Sequence, residues 1–322
     1  MTDLIVKKFY EKKKESFKLS LVAGTDGLSR KILRPVIQRP SFLLAGYSAG
    51  FAEKRLQVLG KTEMTFLESL SEEEAKTSFR RLADYPIPAV ILSRGIAPSD
   101  YMVHIADKYN IPLIVSGLST DEIFNQITVY LDFVFSPQIR IHATMMDVYG
   151  VGILYTGPAG IGKSECALDL VERGHRLIAD DVVTLRRRAG DVLIAAGAPE
   201  AGHHIEIRGV GIVDIERLFG VRAIRMQKRV ELEVRLELWN DLQDYERLGI
   251  EETQTTYISV QIPKITIPIS PGKNITAISE VIAMNHMLKV YGHHPAKEFV
   301  ARMQEMIKRK EGLHKYLESD FE

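Results

Sequence analysis

The chain has a single cysteine, Cys166, in 322 residues. A lone thiol excludes an internal disulfide framework and suits a reducing compartment. Excess charge is missing too: 42 Lys and Arg stand against 42 Asp and Glu, a formal net charge of zero. With no net field to draw the chain to nucleic acid or to an anionic membrane, neither is expected as a partner. No apolar stretch approaches the ~20 residues that span a bilayer. The first ten residues carry Lys7 and Lys8 but no apolar core of the kind a signal peptide has. A cytoplasmic protein is expected. Internal repeats and low-complexity segments are absent as well.

What remains is globular in character, 45% hydrophobic and 26% charged, at a length that favours two domains over one. The expected division is 1–134 and 135–322, with the boundary marked by Phe135, Ser136 and Pro137. Residues 18–22, 56–59, 89–92 and 112–115 read as strands. Residues 71–82, 99–109 and 120–131 read as helices, with Ser71, Ser99 and Thr120 as N-caps. This alternation predicts a small α/β layer domain with a largely parallel sheet. The second half is richer in strands. Residues 230–238 alternate apolar and charged side chains, which predicts a half-buried strand whose charges are solvated and without function. Residues 257–269 carry Pro263 and Pro268 and predict an irregular or edge strand. Helices are expected over 276–290 and 295–315.

The most informative segment is Gly157-Pro158-Ala159-Gly160-Ile161-Gly162-Lys163-Ser164, which fits the phosphate-loop pattern G-x-x-x-x-G-K-[ST] throughout. An apolar run over 151–155 leads in as a strand, and a helical run over 163–173 leads out to Gly174. The glycines let backbone N–H groups curl around an anion, and the helix N-terminus adds about half a positive charge. Lys163 is placed to reach the outer phosphates and Ser164 to offer its hydroxyl to Mg²⁺. A nucleoside triphosphate or another polyphosphate is the expected ligand. Almost at once, Leu177-Ile178-Ala179 ends in Asp180 and Asp181. Paired carboxylates after a second strand suit a metal-bound triphosphate, one near the metal and the other taking a proton from an incoming hydroxyl. Asp181 is the candidate base. The alternative is a pair of turn aspartates capping a helix. His142, on the approach to the loop strand, is by itself more often a structural histidine than a catalytic one. Glu206 and Arg208 fall on one face of a predicted strand, as either a metal ligand with a phosphate clamp or a cross-strand ion pair.

Taken together, these blocks resemble the bacterial HPr kinase/phosphorylase family. The stretch from His142 through the loop to Asp181 carries the likeness, as do Glu206-Ile207-Arg208-Gly209-Val210-Gly211, Asp244-Tyr245-Glu246-Arg247-Leu248-Gly249 and Pro268-Ile269-Ser270-Pro271-Gly272-Lys273-Asn274. It is dense over 136–290 and looser over 98–131. The resemblance implies a bifunctional enzyme that phosphorylates a seryl residue of the phosphocarrier protein HPr with ATP or pyrophosphate. It removes that group with inorganic phosphate, releasing pyrophosphate. A C-terminal phosphate-loop kinase domain similar to phosphoenolpyruvate carboxykinase, a homohexamer and a regulatory place in carbon metabolism are also implied. So are the roles: Lys163 and the loop amides on the β-phosphate, Ser164 and Glu206 on Mg²⁺, and Asp181 as base forward and acid in reverse. His142 and Arg247 would complete the site, and Pro268, Ile269, Ser270, Pro271, Gly272 and Lys273 would serve dephosphorylation. The chain departs from the family's usual pattern at Pro158 and Ala159, where Asp and Ser are usual, and at Ala143, where glycine is usual. Ala159 lacks a hydroxyl, which bears on the balance of the two activities. Two other readings compete, a phosphate-loop kinase of a small-molecule hydroxyl and a nucleotide-gated regulatory module.

Overall fold

A computed structural model describes residues 4–188, 190–198, 202–240, 253–270 and 272–319. The chain forms two compact units, 1–136 and 137–322.

The first unit opens on a two-residue strand, Leu4–Ile5, paired antiparallel with Lys31–Ile32 and followed by the helix α1 (Val6–Lys13), and is organised by a five-stranded sheet. Its strands are β1 (Leu19–Ala23), β2 (Ile37–Gln38), β3 (Leu56–Leu59), β4 (Val90–Leu92) and β5 (Leu113–Ser116), in the order β1-β5-β4-β3-β2. The pairs β2/β3, β3/β4 and β4/β5 are parallel and β1/β5 is antiparallel. Every residue of β3 and β4 is buried, as expected of short apolar strands covered on both faces. The crossovers carry α2 (Lys61–Glu68), α3 (Glu72–Arg80) and α4 (Asp100–Lys108), and α5 (Thr120–Phe135) follows β5. Ser71 and Ser99 are the N-caps of α3 and α4. For α5 the cap is Ser119 rather than Thr120. Glu122 N–H donates to Ser119 Oγ at 3.3 Å and Glu122 Oε2 accepts from Ser119 N–H at 2.9 Å, a reciprocal capping box. Thr120 instead points inward to Ser93, its hydroxyl 2.7 Å from the serine's. Helix α5 runs on to Phe135, so the chain leaves the helix just before Pro137.

The second unit layers two sheets. Its elements are β6 (Gln138–His142), β7 (Thr144–Val148), β8 (Val151–Thr156), α6 (Lys163–Glu172), β9 (Arg176–Ala179), β10 (Val182–Arg188) and β11 (Val192–Ala196). There follow β12 (His204–Ile207), β13 (Gly211–Asp214), β14 (Gln227–Arg229), β15 (Leu232–Leu238), β16 (Gln254–Tyr257), β17 (Val260–Ile269), α7 (Ile275–Val290) and α8 (Pro295–Ser319). Six strands make one sheet in the order β9-β7-β8-β15-β17-β16, and four make another, β14-β11-β10-β6. One face of the larger sheet packs on α6 and α7 through Ile153, Tyr155, Leu170, Val234, Leu236 and Ala283. The other packs on the smaller sheet through Met145, Leu154, Ile178, Val183, Leu185 and Ile262. Among the described residues no helix is long and apolar enough to cross a membrane.

Two expectations fail here. The stretch expected to be an irregular or edge strand is β17, an inner strand paired parallel to β15 and antiparallel to β16. Its prolines are tolerated because each falls where one ladder is absent. Pro263 precedes the first pair with β15, Glu233↔Lys264, and Pro268 lies beyond the last residue of β17 that β16 reaches. The alternating charges of 230–238 are not all solvated either. Strand β15 sits between two parallel neighbours, and Glu233 on it is only 2% exposed.

Candidate active site

Strand register gathers the site. Thr156 on β8 pairs with Arg235 on β15, and Leu238 at the end of β15 pairs with Ile269 at the end of β17. Strand β7 runs antiparallel to both β8 and β9, so β9 points the same way as β8. The carboxyl ends of β8, β9, β15 and β17 therefore share one edge, where ligands of open parallel sheets bind. From that edge emerge the 157–164 loop, Asp180 with Asp181, the segment from Trp239, and the 270–274 turn.

The loop joins β8 to α6. Gly157, Gly160 and Gly162 have φ of 142°, 74° and 101°, and Gly162 is the N-cap of α6. A Cβ at Gly157 would lie 2.4 Å from Leu236 O, so only glycine passes so close to β15. Lys163 is 6% exposed, and its ammonium folds under the loop to donate to Gly157 O and Pro158 O, each at 3.0 Å. Ser164 follows in the first turn of α6, partly buried.

Asp180 and Asp181 lie where the chain passes from one sheet to the other, between β9 and β10. A second crossing, at Ala143 between β6 and β7, lies against it: Val182 pairs with His142, and Ala143 N–H donates to Asp181 O at 3.2 Å. The crossing gives Asp181 a φ of 66°, a left-handed conformation that Asp tolerates better than most residues. The two carboxylates then part company. Asp180 accepts from the Thr144 hydroxyl at 2.5 Å, whereas Asp181 stays exposed and meets His142 Nδ1 at 2.7 Å. The pair joins two strands and caps no helix. His142, ambiguous as an isolated residue, is a direct partner of Asp181.

Glu206 lies on β12, opposite Ile212 on β13, and is exposed. The expected strand face shared with Arg208 is not formed, because β12 ends at Ile207 and Arg208 opens the hairpin turn that Val210 N–H closes on Ile207 O. Leaving the strand lets Arg208 reach the loop. Its guanidinium atoms stand 2.6–2.9 Å from where a Gly160 Cβ would be. Neither Glu206 nor Arg208 forms an ion pair with a described residue, so the cross-strand pair is not present.

In the 268–273 turn, Pro268 is buried, and Lys273 Nζ donates back to Pro268 O at 2.6 Å. Trp239 N–H donates to Ile269 O at 3.0 Å, tying the ends of β15 and β17. Next, Asn274 caps α7 by accepting from Ala277 N–H at 2.9 Å, and Ile275 Cδ1 comes within 3.9 Å of the Gly162 Cβ position. Arg247 and Pro271 lie outside the described residues.

Residues 134–303 match the family model for the HPr Serine kinase C-terminal domain, and residues 4–131 match that for the HPr Serine kinase N terminus. The chain belongs to the HPr kinase/phosphorylase family. Among its relatives, the HPr kinase/phosphorylase of Geobacillus kaustophilus (strain HTA426) is 41% identical over 302 residues, covering 94% of this chain and 96% of that one. That of Chloroherpeton thalassium (strain ATCC 35110 / GB-78) is 42% identical over 323 residues, covering 98% and 95%. The solved Hpr(Ser) kinase/phosphatase from Coxiella burnetii is 33% identical, with a TM-score of 0.44 over 48% of this chain and 99% of that one. Family membership makes the chain a phosphoryl-transferring enzyme, a serine kinase that binds nucleotide.

Sequence reasoning passed over one residue of this edge. Glu233 Oε1 accepts from the Thr156 hydroxyl, and Oε2 accepts from Tyr257 OH at 3.0 Å. Thr156 is the residue before Gly157. The alternating pattern of β15 gave no sign of this, because it reads as an ordinary surface strand. A cavity of about 460 Å³, among Val151, Glu231, Val260, Ile262 and His286, opens at the opposite edge and lies apart from these groups. Burial there pushes the His286 imidazole below its ordinary value.

Proposed function

We propose that the enzyme transfers a phosphoryl group from ATP or pyrophosphate to a seryl hydroxyl of the protein HPr. In reverse, it passes that group from phosphoseryl-HPr to inorganic phosphate, giving pyrophosphate. The observation that carries this reading is the single edge on which the loop with Lys163, Asp181 with His142, and the 268–273 turn emerge together. A hydroxyl arriving at that edge meets an exposed carboxylate on one side and a polyphosphate cradle on the other.

Asp181 takes the seryl proton as the hydroxyl attacks and returns it in the reverse direction. His142 orients that carboxylate. Lys163 and the loop amides hold the β-phosphate, and Arg208, lying over Gly160, closes on the transferred group from above. Ser164 and Glu206 would hold Mg²⁺. The described residues contain no group of three or more His, Cys, Asp or Glu that would bind an ion unaided. That donor set fits Mg²⁺, which is held by one or two carboxylates with phosphate and water oxygens. When bound, the ion neutralises charge on the phosphates. Arg247 completes the site, and 268–273 holds inorganic phosphate in the reverse reaction. The same reading gives the C-terminal unit a phosphate-loop fold similar to phosphoenolpyruvate carboxykinase, a homohexameric assembly and a cytoplasmic setting.

The test is direct. The protein is incubated with Mg²⁺-ATP and HPr, the phosphoserine is located, and phosphate is added to look for pyrophosphate. A kinase of a small-molecule hydroxyl would leave HPr unmodified. A nucleotide-gated module would bind ATP with Asp181 dispensable.

A further inference from the structure

Glu233 is expensive to bury. It lies in the middle of a six-stranded sheet at 2% exposure, and no described Lys, Arg or His forms a salt bridge with it. Arg235, two residues further along β15, is bonded to Glu237 and acts on Glu233 only through space, so the carboxylate costs more in such a place than the apolar residues that flank it, Leu232 and Val234. Its oxygens are each used once, on the Thr156 and Tyr257 hydroxyls. Burial and the adjacent carboxylate push the Tyr257 phenol upward, which keeps it a donor.

The path from Glu233 leads into the loop. Thr156 ends β8, and the next residue, Gly157, is pressed against Leu236 O on the same neighbouring strand. Gly157 O in turn accepts the Lys163 ammonium at 3.0 Å. Strand β15 thus holds the Thr156–Gly157 segment twice, by the hydrogen bond from Thr156 to Glu233 and by close approach at Leu236. We infer that Glu233 is a positioning residue of the phosphate site, acting through Thr156 to set the carbonyl that holds Lys163 before polyphosphate arrives. The inference rests on reading 157–164 as the phosphate loop. It makes Glu233 part of the loop's preorganisation, although it touches no ligand.

The experiment uses full-length Thr156→Val, Thr156→Ser, Glu233→Gln and the Thr156→Val/Glu233→Gln double variant. Affinity is read by titrating a fluorescent ATP analogue and by its displacement with pyrophosphate, beside a thermal melt of each protein. Thr156→Val and Glu233→Gln should each weaken both ligands roughly three- to tenfold. Thr156→Ser should restore wild-type affinity, and the double variant should be no weaker than the worse single one, since both break one link. Wild-type affinity with a lowered melting temperature would overturn the inference, as would losses that multiply in the double variant. If Glu233→Gln does not fold, Thr156→Val beside Thr156→Ser decides alone. Lys163→Ala separates the two levels. Intact binding in that variant sinks the loop reading itself. Binding lost there but unchanged in Thr156→Val and Glu233→Gln sinks only the role of Glu233.

Discussion

Replacing Gly160 with Ala tests whether Arg208 acts on the loop. Gly160 has φ of 74°, and its missing Cβ is the space in which the Arg208 guanidinium lies, at 2.6–2.9 Å. Two effects follow, and they separate. The left-handed backbone with a Cβ costs about 1–2 kcal/mol of stability. At ~2–4 °C per kcal/mol for a unit of this size, the melting temperature should fall by roughly 2–8 °C. The guanidinium ends a flexible side chain, so it swings aside rather than forcing the loop apart. Its displacement removes a charge-assisted contact of ~1.5–3 kcal/mol, slowing phosphorylation roughly ten- to a hundredfold. Arg208→Ala should show the same loss of rate with an unchanged melt, and the double variant should be no slower than Arg208→Ala. Steady-state HPr phosphorylation at saturating Mg²⁺-ATP, with calorimetric melts, reads both. If Gly160→Ala keeps its rate within twofold, or if the double variant is much slower than Arg208→Ala, Arg208 is not the group that Gly160 makes room for.

Lys163→Ala should abolish both directions, because both pass through one cradle; more than about a tenth of wild-type activity, a loss under ~1.4 kcal/mol, would refute it. Asp181→Asn keeps the side-chain shape and the left-handed backbone, so it should abolish seryl phosphorylation while nucleotide titrations stay near wild type. Parallel collapse of binding would make Asp181 a metal ligand instead. Lys273→Ala should slow phosphate-dependent dephosphorylation more than ATP-dependent phosphorylation, and an unchanged ratio of the two rates would remove 268–273 from the reverse reaction. Burial pushes the Cys166 thiol up from 9.0 to about 11. Between those values the unfolded chain has released the proton and the folded chain has kept it, so stability should fall as pH rises from 9 to 11, by about 2–3 kcal/mol. Denaturant titrations of wild type and Cys166→Ala across that range should diverge by that amount; curves that stay parallel would contradict it.

What was legible in the sequence was local. Leu56–Leu59 and the N-cap positions of Ser71 and Ser99 follow from short-range pattern. So does a strand–loop–helix around Gly157 and Lys163, since glycines, lysine and helix start lie within eight residues. Even there, adjacent candidates were confused: Ser119 and Thr120 are both good caps, and only Glu122, three residues after Ser119, selects the first. What stayed hidden depends on sheet order. Glu233 meets Thr156 across 77 residues, because β15 inserts beside β8. The position of Pro263 and Pro268 in an inner strand depends on where the neighbouring ladders start and stop. Arg208 reaches Gly160 only because β12 ends one residue before it. The separate environments of Asp180 and Asp181 come from two chain crossings that no single segment encodes.

Polar contacts join the C-terminal end of α6, and the residues just past it, to the first two turns of α7. Thr276 Oγ1 donates to Asp169 Oδ2 at 3.2 Å, and Glu280 takes Arg173 at 3.0 Å and His175 at 3.1 Å. Helix α6 begins in the 157–164 loop and α7 begins after the 268–273 turn, so these contacts tie the two helices that lead away from those segments. Directional bonds resist sliding better than apolar packing does, and a displacement imposed at one end is transmitted to the other. Glu280, which takes both Arg173 and His175, is the residue on which two of these three contacts depend.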